Sequence, residues 1–133
     1  MQMHIKYRTS PQEHEFGRPL QLGSHAAADR PEDAMLASIL VSAGDVVIVG
    51  SDGLWDNLFD RQIAQVAARH RAASSAPNPA ALARELASMA HAESVNRRAF
   101  TPYSYAASEW FDMVYDGGKP DDISIVAAFI EAN

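Results

Sequence analysis

Val46 to Val49 is an apolar run with no polar alternation, bounded by Gly44-Asp45 before it and Gly50-Ser51-Asp52-Gly53 after it. Its β-branched content and the turn residues at both ends predict a strand buried on both faces. Ile123 to Ile130 (ISIVAAFI) has the same character and predicts a second such strand. Met35 to Val41 predicts a third, and the short Ser42–Asp45 turn would join it to Val46–Val49 as an antiparallel hairpin. Helical periodicity appears from Asp60 to about Ala72, where Ile63, Val66, Ala67 and His70 share a face and Asp60 is placed to cap. After a loop at Ser74 to Asn78, Asn78-Pro79 opens a second helix that runs to about Val95, with Leu82, Leu86, Met89 and Ala90 on one side. Both apolar stripes read as core that lies on a sheet.

The remaining stretches are less regular. Met1 to Pro31 is rich in Gly, Pro, Ser and His, with at most a short strand at His4 to Tyr7. Arg97 to Tyr115 is aromatic-rich, and Thr101-Pro102-Tyr103 predicts a non-helical start to it. Its rings read as packing between the helices and the sheet. Consecutive helices and antiparallel strands together predict an α+β fold rather than a doubly wound one.

Composition narrows the function classes. The 133 residues are 47% hydrophobic and 21% charged, which is globular. A net charge of −6 disfavours nucleic acid and anionic membrane as partners. Without cysteine there is no disulfide, zinc–thiolate site or thiol nucleophile. No stretch approaches the ~20 apolar residues of a membrane span, and no targeting signal is evident at the N-terminus. The five histidines are scattered without paired ligand spacing. Neither Ser51 nor Ser124 sits in a nucleophile elbow.

The candidate chemistry lies at the polar ends of the two buried strands. Asp52 follows the first strand between glycines, and Asp121 and Asp122 precede the second within Gly117-Gly118-Lys119-Pro120-Asp121-Asp122. If those strands pair antiparallel, Asp52 and Asp121 lie at one end of the sheet. Converging carboxylates need a cation or a shared proton, and an oxygen-only donor set suits Mg²⁺ or Mn²⁺ rather than zinc. Alone, Asp52 reads better as a turn cap than as a metal ligand. Asp56, with Asn57, reads as a cap of the following segment. Gly53 allows close backbone approach, and Lys119 reads as solvated.

At these residues the sequence resembles the C-terminal half of the metal-dependent protein phosphatases of the protein phosphatase 2C type. SDGLWDN and GKPDDISIV carry the resemblance, each on its own strand, in that order. It runs from about Thr9 to Ile130, helped by Phe16, Pro19, Gln21 and Leu22, although Gly17 stands where the family usually has asparagine. The branch it most resembles has members in mitochondria or plastids, which implies a soluble, organellar setting.

The resemblance implies a fold of two stacked antiparallel sheets flanked by helices, an α-β-β-α sandwich. Residues 1–133 would form a single partial domain, the C-terminal half of the catalytic domain. It implies Asp52 and Asp121 as metal ligands, with Gly53, Asp56 and Asp122 as supporting or weak metal positions, and no side-chain nucleophile. The implied activity is hydrolysis of phosphoserine and phosphothreonine in phosphoprotein substrates at a two-metal Mn²⁺ or Mg²⁺ centre. The family's phosphate-binding arginine and Asp-Gly-His-Gly segment have no counterpart here. The isolated chain is therefore expected to be weakly active or inactive, with an N-terminal half supplied in cis or in trans. A non-catalytic, phosphatase-like interaction module is the alternative. Haloacid-dehalogenase-type chemistry lacks its nucleophile, since Gly50 holds that position.

Overall fold

In the computed structural model, which describes residues 2–73 and 76–133, the chain forms two compact units. The smaller, Lys6–Leu40, contains a two-stranded antiparallel ribbon of β1 (Glu13–Glu15) and β2 (Arg18–Pro19) and a 3₁₀ turn at Pro31–Asp33. Gly17, at φ 76°, makes the reversal between the strands, a conformation that glycine adopts without cost. His14 and the Gln21 amide both bond the carboxylate of Asp29, at 2.8 and 2.6 Å. That backbone bond is the main reason the Asp29 carboxyl lies below its ordinary range.

The larger unit comprises Val41–Asn133 with the N-terminal residues up to Ile5. Its elements are β3 (Val46–Gly50), α1 (Asp52–Trp55), α2 (Asp60–Ala72), α3 (Pro79–Ser94), α4 (Pro102–Phe111) and β4 (Ile125–Phe129). β3 and β4 pair antiparallel, from Val46 opposite Phe129 to Gly50 opposite Ile125. Val46, Ile48, Ile125, Ala127 and Phe129 turn one face of this ribbon onto the core. That core consists of Leu54, Leu58, Ile63, Val66, Ala67, Leu82, Leu86 and Ala90. The other face stays open, with Val49 62% and Val126 68% exposed. The expectation of strands buried on both faces thus holds for one face only.

Three local readings change. Met35 to Val41 forms no strand, and Leu36 and Leu40 are exposed, so the predicted hairpin is absent. The Ser42–Asp45 turn does form, with the Asp45 amide on Ser42 O at 3.0 Å. It leads β3 toward β4 instead, and the Gly44 amide extends that ladder to Ile130 O. Among the described residues the second edge of β3 stays unpaired, and Leu36 and Leu40 find no apolar surface to cover, so turn and composition alone do not make the strand. Residues His4 to Tyr7 are likewise not a strand. Arg97 to Tyr115, read as opening non-helically, contains α4. Its start at Thr101-Pro102 is a capping box with proline at the first helical position.

The two longer helices form where periodicity places them. α2 begins one residue earlier than the cap assignment: Phe59 is its N-cap and Asp60 its first residue, while Gln62 accepts from the Phe59 amide at 2.8 Å. α3 is capped by Asn78, whose Oδ1 accepts from the Ala81 amide at 3.1 Å. Of the loop expected between them, Ser74 and Ser75 lie outside the described residues. In α4 the buried residues are Ser104 and Ala107, not the aromatics. The exposed Phe100 instead meets Phe59 at a tilt and Tyr105 edge-on, with centroids 5.3 and 6.3 Å apart.

Candidate functional site

Because β3 ends at Gly50 opposite the start of β4, the segments carrying Asp52 and Asp121 emerge at the same end of the ribbon. They are joined there by backbone. The Ser51 amide donates to Ser124 O at 2.9 Å, the Ser51 hydroxyl donates to Asp122 O at 3.0 Å, and the Ser124 amide returns a bond to that hydroxyl. Gly53 sits so close that a Cβ on it would lie 2.3 Å from Asp122 O. Only glycine lets the first turn of α1 approach the lead-in to β4.

Asn57 fastens the two segments a second time. It is 1% exposed, between the buried Leu54 and Leu58. Its Nδ2 donates to Gly53 O and to Lys119 O, and its Oδ1 accepts from the Lys119 amide, each at 2.9 Å. Further upstream, Gly117 and Gly118 bond Ala99 O and Asn96 O beyond α3, and the Thr101 hydroxyl donates to Gly117 O at 2.9 Å. A Cβ on Gly118 would lie 2.0 Å from Glu93 O. Gly118 therefore serves packing against the end of α3, and Gly117 packing against Arg97 just beyond it.

These backbone ties bring three carboxylates around one ammonium. Lys119 Nζ lies 3.2 Å from Asp56 Oδ2 and 3.7 Å from Oδ2 of both Asp52 and Asp121. It also lies 5.6 Å from the centroid of the Tyr103 ring, within cation–π range. The Tyr103 amide in turn bonds Asp56 O at 2.9 Å. Asp56 is the most enclosed of the three carboxylates. Burial pushes its pKa up, aided by Asp52 and Asp121, and the hydrogen bond from Lys119 offsets only part of that rise. Burial acts downward on Lys119, but Asp56, Asp52 and Asp121 outweigh it and hold the ammonium above its ordinary pKa.

Of the residues singled out from sequence, Asp52, Asp56 and Asp121 come together, and Gly53 makes the close approach. Asp122 contributes its backbone carbonyl to Ser51, and its amide bonds Asp121 Oδ1 at 2.8 Å. Lys119, read as solvated, is central. Asn57, read as a local cap, is the tie between segments. Its signal in the sequence was a lone amide between leucines at buried positions.

The cluster carries three negative charges against one positive, with oxygen donors only, which fits a hard divalent cation in charge and ligand type. As arranged around the ammonium, no group of three or more Asp, Glu or His among the described residues is disposed to hold an ion. A metal would require the carboxylates to draw closer together. No helix among the described residues is long and apolar enough to cross a membrane.

Comparison with known proteins gives a consistent pattern. The family model for protein phosphatase 2C matches residues 31–98. The chain is 32% identical to probable protein phosphatase 2C 55 of Arabidopsis thaliana over 98% of its length, and covers 27% of that relative. It is 35% identical to probable protein phosphatase 2C 1 of Oryza sativa subsp. japonica, covering 96% of this chain and 40% of that one. The X-ray structure of the photosystem II phosphatase PBCP is similar at a TM-score of 0.83 and 32% identity, over 96% of this chain and 52% of that chain. The chain thus spans less than half of these two curated relatives and about half of the solved structure.

Proposed function

The chain belongs to the protein phosphatase 2C family, and from that premise we propose that it supplies the C-terminal half of a metal-dependent protein serine/threonine phosphatase. The observation that carries the reading is the meeting of Asp52, Asp56 and Asp121 around a single cationic position at the end of the β3–β4 ribbon. In this reading Asp52 and Asp121 hold Mn²⁺ or Mg²⁺. Asp56 is a third, more enclosed carboxylate, and Asn57 fixes the distance between the two segments. A divalent ion bound there supplies a water of lowered pKa and positive charge against the phosphoryl oxygens of a phosphoserine or phosphothreonine. Gly53 and the carbonyl of Asp122 set how deeply the first carboxylate sits. The remaining ligands and the phosphate-binding group come from a half that these residues do not include, so residues 1–133 alone would show little turnover. The similarity to a photosystem II phosphatase supports an organellar setting.

Mn²⁺ binding tests the site. Asp52→Asn and Asp121→Asn should each abolish binding, and unchanged binding in both would refute the assignment. Hydrolysis of a phosphothreonine peptide tests the activity: it should be near background for residues 1–133 and appear when the family's N-terminal half is supplied in cis or in trans. The ammonium of Lys119 among the three carboxylates favours a second reading, a non-catalytic phosphoprotein-binding module. Tight phosphopeptide binding without Mn²⁺, and no gain of turnover when the other half is supplied, would favour it.

A further inference from the structure

Resting on the metal-site reading above, we propose that Lys119 is a tethered cation that neutralises the carboxylate cluster and competes with the metal ion for it. The ammonium is the only positive group recorded against Asp52, Asp56 and Asp121 among the described residues, at 3.2 to 3.7 Å. Its position is built. The backbone of Lys119 is held on both sides of its Cα by Asn57, through its own amide and its own carbonyl. Just upstream, Gly118 is packed against the end of α3 and Gly117 against Arg97, and Pro120 restricts the backbone just downstream. The side chain then has one short course, past the Tyr103 ring, to the three carboxylates. An ordinary surface lysine has no such constraint.

The competition follows from distances and charge. Ammonium contacts of 3.2 to 3.7 Å hold the carboxylate oxygens farther out than the roughly 2.0–2.6 Å of a Mg²⁺ or Ca²⁺ shell. Metal uptake therefore requires the carboxylates to move inward into the space the ammonium fills. Both cations cannot be held at once. A divalent ion within about 4 Å of an ammonium loses roughly 10-fold or more in affinity even at the dielectric of water. Lys119 thus sets a threshold: the cluster is stable without metal, and metal binds only where its concentration or additional ligands displace the lysine. An N-terminal half that brings further carboxylates would tip that exchange.

The test is Mn²⁺ titration of the full chain, of Lys119→Gln and Lys119→Arg, and of Asp52→Asn and Asp121→Asn. Lys119→Gln should bind Mn²⁺ about 10-fold more tightly than the unaltered chain. Lys119→Arg, which keeps the charge, should stay close to it, and both aspartate variants should lose binding. Equal or weaker binding by Lys119→Gln, with the aspartate variants still deficient, overturns the role of the lysine and leaves the metal site standing. Unchanged binding in the aspartate variants, or no uptake by either the unaltered chain or Lys119→Gln, removes the metal site and this proposal with it. A second readout needs no substitution. Acylation of Lys119 by an amine-reactive reagent, located by peptide mass, should rise at saturating Mn²⁺, and labelling indifferent to Mn²⁺ overturns the displacement.

Discussion

Asn57→Ala removes the side chain that binds the two site segments together, and its cost can be worked from the bonds it makes. Three hydrogen bonds are lost, two donated to Gly53 O and Lys119 O and one accepted from the Lys119 amide, all at 2.9 Å. Each such bond contributes about 0.5–1.5 kcal/mol net, and a buried partner left unsatisfied costs about 1–3 kcal/mol. Lys119 is half-buried, so water can reach its freed amide and carbonyl, whereas Gly53 is buried and its carbonyl stays without compensation. The expected loss is about 3 kcal/mol, on the order of 100-fold in the folding equilibrium. Urea denaturation followed by tryptophan fluorescence measures it, with an unchanged m-value indicating that the folded state is still compact. Asn57→Asp keeps the acceptor but loses both donors and buries a charge, so it should cost more at neutral pH. That deficit should shrink as the new carboxyl protonates. A loss below about 1 kcal/mol for Asn57→Ala would refute the view that this side chain fastens the site.

Gly53→Ala places a Cβ 2.3 Å from Asp122 O. It should lower stability by about 1–3 kcal/mol and weaken Mn²⁺ binding as α1 is pushed off the β4 lead-in; thermal melting and metal titration read the two effects. Thr101→Ala removes a fully buried cap that also bonds Gly117 O. A loss of about 1–2 kcal/mol is expected in denaturant, and a value near zero would mean that α4 does not depend on its cap. The Asp56 carboxyl has a raised pKa in the folded chain, so the folded state holds that proton more tightly than the unfolded one. Its contribution to stability is present below the unfolded carboxylate pKa and is lost as pH rises through the folded pKa. Asp56→Asn should therefore gain on the unaltered chain as pH rises across that window, in paired denaturation curves. A difference that does not vary with pH would contradict the raised pKa.

What was legible in the sequence was what side-chain pattern alone determines. Ile63, Val66 and Ala67, and Leu82, Leu86 and Ala90, recur at helical spacing and are buried as that spacing requires. The apolar runs before Asp52 and after Asp122 are both strands; their antiparallel pairing entered the sequence reading only as a condition, and the register of the ribbon supplies it. The rest depended on what each segment meets. Met35 to Val41 has strand composition and a good turn after it, yet it stays off the free edge of β3 with Leu36 and Leu40 exposed, and composition does not show whether a strand will find a surface to cover. α4 was missed because Thr-Pro was read as a break, although the same dipeptide opens a helix when Ser104 can bond back to Thr101. Lys119 was read as solvated because its meaning lies in where Asn57 holds its backbone, and that contact spans 62 positions of sequence.

That span has a consequence for the order in which the chain folds. The ties between Asn57 and Lys119, and between Ser51 and Asp122, close a loop that contains α2, α3 and α4. Bringing such distant residues together carries the entropy of closing the whole loop, and long-range closures of this kind slow folding. The helices, whose contacts are local, can form and compact first and shorten the effective distance. The carboxylate cluster would then be assembled in the last step. Asn57→Ala should accordingly speed unfolding and leave the folding rate almost unchanged, and a matching drop in the folding rate would place the closure earlier. Folded this way, the helical excursion is no passive spacer: the end of α3 seats Gly118 and the cap of α4 holds Gly117, so the length of the excursion is fixed by the clasp it feeds.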